Sequence, residues 1–138
     1  MHFCELPHTV HEELPLIYMW EIRANDGTLV GRYIGKAKRG AGRPRKHYAR
    51  NVANILSSKP YRKDNPNGYR RVHFALAEAE RHRLAITLQL MCNVQPGQNI
   101  NQVKQWHIHH HNCAGSNFAE RDASVVHVPR SMLVSANA

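Results

Sequence analysis

The chain has 138 residues, 42% of them hydrophobic, and 19 Lys and Arg against 10 Asp and Glu give it a formal charge of +9 and a pI near 10.0. That length suits one domain around one core, and no run approaches the roughly 18 apolar residues that span a bilayer. A domain this basic suits a polyanion, because each phosphate neutralised releases condensed counterions; its charge is gathered in GKAKRGAGRPRKHYAR and YRKDNPNGYRR rather than spread evenly for solubility.

Residues 1–14 read as an N-terminal arm. LPLIYMWEI is rich in β-branched and aromatic residues, NDG at Asn25 to Gly27 signals a turn, and TLVGRYIGK reads as the returning strand of a hairpin. A glycine-rich basic loop, AKRGAG, follows. Pro44 suits the first turn of a helix, and PRKHYARNVANILSS places Tyr48, Val52 and Ile55 on one face. KPYRKDNPNG is loop by composition. YRRVHFALAEAERHR reads as a second helix, with Val72, Leu76 and Ala79 at helical spacing.

LAITLQLMCNV alternates: Leu84, Ile86, Leu88, Leu90, Cys92 and Val94 point one way, and Ala85, Thr87, Gln89, Met91 and Asn93 the other. NINQVKQWHIHHH reads as a last helix, and a polar tail follows Phe118, with SVVHV an edge strand or docking segment. The order β-β-α-α-β-α plus a C-terminal tail predicts an α+β fold with a three-stranded antiparallel sheet flanked by helices.

Cys4, Cys92 and Cys113 are odd in number, far apart and free of any CxxC pair. This argues against a disulfide framework and a structural zinc module, and Cys92 is expected in the core. The N-terminus lacks the basic start and apolar run of a secretory signal, so synthesis in the cytoplasm is expected, with delivery to another cell left open. His107 and His111, in a run with His109 and His110, stand one turn apart and could share an ion. No third ligand is evident, and histidines meeting the helix dipole and water are the plainer reading.

Leu16-Ile17-Tyr18 on the first strand and Tyr33-Ile34-Gly35 on the second, followed by Lys36, Arg43 and His47, resemble the motifs of the GIY-YIG nuclease superfamily. The resemblance covers residues 15–118 and ends near Asn117; Leu16 stands where the family has glycine. It implies a metal-dependent endonuclease that hydrolyses phosphodiesters of double-stranded DNA with Mg²⁺ or Mn²⁺. Tyr18 would be general base or water-orienting group, Tyr33 its partner, Arg43 the stabiliser of phosphoryl charge, and His47 a phosphate ligand or proton carrier. Arg43 precedes Pro44 and is biased away from helical geometry, which leaves Arg45 or Arg50 open for its role. The basic loops, through Lys38, Arg39, Arg45, Lys46, Arg50, Arg70 and Arg71, would bind DNA. A homodimer, or an immunity protein if the chain is a toxin, are partners left open.

One place departs. The family carries its metal-binding glutamate on the last helix, where this chain has Lys104. Ile100 and Ile108 lie four residues either side of Lys104, so the three share a face that should look towards the sheet. An ammonium repels Mg²⁺ rather than ligating it. Another acid (Glu78, Glu80 or Glu120) could reach the site, or the chain could be a relative that has lost cleavage. An inactivating substitution ranks first, because the rest of the site is kept. The expected function is therefore a DNA endonuclease in an inactivated form, with a non-catalytic nucleic-acid-binding domain as the alternative.

Overall fold

The segment LIYMWEI is apolar on both faces, and the chain folds so that both are covered. The structure, a computed structural model, describes residues 1–111. The elements are β1 (Cys4–Glu5), β2 (Leu16–Arg23), β3 (Leu29–Ala37), α1 (Tyr48–Leu56), α2 (Arg71–Arg81), β4 (Ala85–Asn93) and α3 (Ile100–His110). A π-helical turn, Arg43–His47, runs directly into α1.

The strands form one sheet in the order β1-β4-β2-β3. β2 pairs antiparallel with both β3 and β4, and β1 pairs parallel with β4. Being central, β2 is buried on both faces from Leu16 to Trp20, as that apolar run requires. α1 and α2 cover one face: Tyr18, Trp20, Tyr33, Leu88 and Leu90 pack there against Tyr48, Val52, Val72 and Leu76. α3 covers the other, where Ile108 meets Ile17, Met19 and Ile34. Three layers result.

The sheet corrects the expected three antiparallel strands to four in a mixed arrangement. The added strand, two residues long, is too short to show any alternation, and contacts distant in sequence hold it. Leu6 N–H donates to Leu88 O at 2.9 Å, and the Phe3 ring meets the Trp20 ring edge-on at 5.1 Å. Further along, Asn93 Oδ1 accepts from His11 N–H, and its Nδ2 donates to His11 O. Residues 1–14 are thus sewn onto the sheet along much of their length.

The alternation expected for β4 holds as far as Leu90 and then switches. Ile17 is opposite Cys92, but Tyr18 is opposite Leu90, so Met91 is the extra residue of a β-bulge. Beyond it, Cys92 and Val94 join the α3 face instead of the face of Leu88 and Leu90. Among the described residues, no helix is long and apolar enough to cross a membrane.

The docking of the N-terminus is testable through Phe3, half-buried against Trp20. Phe3→Ala removes an edge-on aromatic pair and its buried area, so urea denaturation should show a loss of about 2 kcal/mol. An unchanged midpoint would mean that the segment does not pack on the sheet.

Candidate functional site

Gly35 lies opposite Tyr18 in the β2–β3 pair. A Cβ at Gly35 would fall 2.3 Å from the Tyr18 ring, so only bare backbone lets that ring lie across β3. β3 is an edge strand, and lying across it brings the buried Tyr18 side chain to the wall of a cavity at the rim of the sheet. Tyr33 is opposite Trp20, one pair along on the same face, with its ring centroid 6.4 Å from that of Tyr18. This is the physical sense of RYIGKA: a tyrosine to form the site, a glycine to admit its partner, and a lysine at the rim.

The rim opens into a cavity of about 380 Å³ lined by Tyr18, Tyr33, Lys36, Lys38, Arg39, Arg43, Arg70 and Lys104. The tyrosines come from the helix-pair face. Lys36 is opposite Ile17 and belongs to the α3 face, where its Nζ donates to Asn101 Oδ1. Lys104 arrives from α3 itself, half-buried, on the side of Ile108. The Arg70 guanidinium lies 5.5 Å from the centre of the Tyr33 ring, close enough for a cation–π contact.

Behind the cavity stands a residue that the sequence concealed. Tyr48 reads as an apolar position of α1, and it is buried, but its hydroxyl lies 2.5 Å from that of Tyr18. The rings of Tyr18, Tyr33 and Tyr48 meet pairwise at 5.8 to 6.4 Å. The one signal available was a tyrosine in a helical face whose neighbours, Val52 and Ile55, are aliphatic. Burial, reinforced by Tyr33, raises the Tyr18 hydroxyl well above the usual phenol range, against the lowering effects of the Tyr48 bond and of Arg43. Burial raises Tyr48 likewise. Both phenols are neutral at physiological pH.

A second polar layer supports α1. The Asn51 amide faces Nε2 of His47 at 3.1 Å and Nε2 of His73 at 3.3 Å. Arg70 N–H donates to His73 Nδ1 at 3.0 Å, and Arg50 Nη2 lies 3.4 Å from His47 Nδ1. With each Nδ1 accepting, each Nε2 carries the proton, and donor–acceptor logic assigns the Asn51 oxygen to receive both. Burial, with the charges of His47, Arg70 and Arg43, pushes His73 down to about 4. Burial also lowers His47, helped by Arg43, Arg50 and Arg62.

The cavity therefore gathers Tyr18, Tyr33, Lys36, Arg43 and Lys104 from the resemblance, and Lys38, Arg39 and Arg70 from the basic loops. His47 is not among its lining residues; it sits edge-on to Tyr48, 5.8 Å between centroids. Arg43 reaches the site despite preceding Pro44, because the chain there takes a wide π-helical turn instead of an α-helical one. Arg45 does not face the cavity. Glu5 takes its Nε and Nη2, each at 2.6 Å, and Glu12 takes its Nη1. Its hydrogen bonds lower both carboxyls. Lys46, Arg50 and Arg71 are exposed. Asn117, Cys113 and Glu120 lie outside the described residues.

A divalent metal does not fit the described lining, because its six charged groups are all cationic. The acids that could have substituted point elsewhere: Glu78 pairs with Arg81, and Glu80 takes the His2 backbone and ring. Among the described residues, no group of three or more His, Cys, Asp or Glu could hold an ion. Cys92 Sγ and His107 Nε2 approach to 3.4 Å on the α3 face, and His107 stacks on His111. Compared with protein-family models, curated proteins and solved structures, the chain matches none.

Two measurements probe this architecture. Gly35→Ala forces a methyl into the Tyr18 ring, which Tyr48 and Tyr33 hold from behind; a loss of about 1–3 kcal/mol is expected in urea denaturation, and an unchanged stability would mean that the ring does not cross β3. His73 supplies the second. Above pH 6.5 it is neutral folded or unfolded; between 6.5 and about 4 only the unfolded chain takes up its proton. Stability from this residue should fall by about 3 kcal/mol as pH drops through that window. The slope there should flatten in His73→Gln, and an equal slope in both proteins would contradict the depressed value.

Proposed function

We propose that this chain is an endonuclease domain of GIY-YIG type that, with Lys104 in place of the acid, holds a DNA phosphodiester without metal-dependent cleavage. The observation that carries the reading is the cavity itself: two strand tyrosines meet six cations, and none of the described residues lining it is acidic. Like charges so gathered repel one another and favour an anion among them. Arg43 supplies a planar fork for two phosphate oxygens. Lys36 and Lys104 bring point charges from the other face of the sheet.

The neutral Tyr18 hydroxyl suits orienting a water or a phosphate oxygen better than removing a proton. Tyr48 holds it in place, which makes Tyr48 a positioning residue. In this reading Lys104 gives the phosphate its counter-charge directly, and binding needs no Mg²⁺. A basic nucleic-acid-binding domain without any catalytic ancestry would share the cationic face, but would have no use for two strand tyrosines in the wall of one cavity.

Fluorescence anisotropy with a labelled duplex should show affinity that is indifferent to chelator and falls steeply with salt. Plasmid nicking should be absent or slow in the chain as it stands. Lys104→Glu, by replacing an ammonium with a carboxylate at the cavity, should permit Mg²⁺ or Mn²⁺ to bind and raise nicking by at least about a hundredfold, with loss in chelator. Equal nicking by both proteins would sink the assignment of Lys104. Binding that ignores salt, or no binding at low salt, would remove the nucleic-acid reading.

A further inference from the structure

Beside the cavity, the loop between α1 and α2 and the first turn of α2 build a wall of aromatic rings. Tyr61 meets Tyr69 edge-on at 5.3 Å, and Tyr69 meets Phe74 edge-on at 5.9 Å. The wall is fixed in place. A Cβ at Gly68 would fall 2.4 Å from the Tyr61 ring, so bare backbone seats that ring. Tyr61 N–H donates to Pro66 O and Arg62 N–H to Asn65 O, closing the loop tip, and the Tyr69 hydroxyl donates to Lys59 O at 2.9 Å.

Folding does not use the whole of this surface. α2 buries Val72, Leu76 and Ala79 on its inner face but leaves Phe74 49% exposed. Phe74 lies one turn along from Arg70, and Arg70 lines the cavity. The wall is thus continuous with the phosphate pocket. Its setting is cationic: residues 59–71, KPYRKDNPNGYRR, carry five Lys and Arg against one Asp. The Arg62 guanidinium lies 5.1 Å from the centre of the Tyr61 ring, and Arg62 lies near enough to His47 to depress its pKa.

The exposed Phe74 ring, backed by the half-buried Tyr69 and Tyr61 rings and set among arginines, offers what an unstacked base requires: a π-face to lie on and a cation for the neighbouring phosphate. Bases inside a continuous duplex are already stacked on both sides and cannot use them. We propose that the Tyr61–Tyr69–Phe74 wall stacks an unpaired base of the nucleic acid whose phosphate enters the cavity. The substrate class is then a duplex that ends in, or is interrupted by, a single strand. This rests on the nucleic-acid reading above.

The test compares anisotropy titrations of a duplex carrying a single-stranded extension with those of a longer blunt duplex of equal phosphate count. The extended DNA should bind roughly tenfold tighter. Phe74→Ala should abolish that preference and leave the blunt-duplex affinity unchanged, and Phe74→Trp should keep it. Because Phe74 is half exposed, the Ala variant should melt close to the unaltered protein by circular dichroism, which separates lost stacking from lost fold. Tyr61→Ala, read in the same way, gives a second probe on the loop side. Equal affinity for the two DNAs in the unaltered protein, or a preference that survives Phe74→Ala, would overturn the proposal while leaving the phosphate pocket standing. Failure to bind either DNA at low salt would remove the nucleic-acid reading and this inference with it.

Discussion

The site depends on one close approach, the ring of Tyr18 lying over the bare backbone of Gly35. A strand side chain normally stands upright on its sheet and meets whatever packs above. Here the missing side chain on the edge strand lets the ring lie across β3, so a buried side chain of the core also forms part of the cavity wall. Tyr48 closes the back of the arrangement with a hydroxyl–hydroxyl contact, and Tyr33 flanks it. Arg43 and Arg70, which lead into the helix pair, and Lys104 of α3, which the sheet otherwise keeps apart, then converge on a single opening.

Charge is allocated as strictly as volume. The domain has few acids among the described residues, and several of them are committed away from the cavity. Glu5 and Glu12 hold Arg45, Glu21 holds Arg32, Glu78 holds Arg81, and Glu80 holds the amino-terminal His2. These pairs fix the frame. Arg32 also donates to His111 O, tying the end of α3 to β3, while Lys36 and Asn101 tie its beginning. The described residues that line the cavity carry only positive charge, while these acids serve elsewhere as structural ties.

Much of this was legible in the sequence, and the parts that were not share a cause. The hairpin announced itself through NDG between two β-rich runs; Tyr18, Tyr33, Lys36 and Arg43 were marked by the resemblance, and Lys38, Arg39 and Arg70 by the clustering of basic residues. What stayed hidden depended on contacts distant in sequence. β1 has only two residues and exists because β4 offers it an edge. The bulge at Met91 leaves no mark in LAITLQLMCNV, whose alternation simply continues on paper. Tyr48 looks like core because it is core, and its hydroxyl matters only through Tyr18, thirty residues earlier. Arg45 sits among basic residues that face solvent or the cavity, and nothing local shows that Glu5 and Glu12 will take it.

The parallel pairing of β1 with β4 also sets an order of assembly. Cys4 lies beside Thr87, so β1 can dock only after β4 has been made. Glu5 and Glu12, which hold Arg45 in the turn that carries Arg43, belong to the same N-terminal segment. Closing contacts so far apart along the chain costs loop entropy before they repay it, which slows folding. A nascent chain that has not yet produced β4 and α3 therefore cannot assemble the positive pocket, because Lys104 comes from α3.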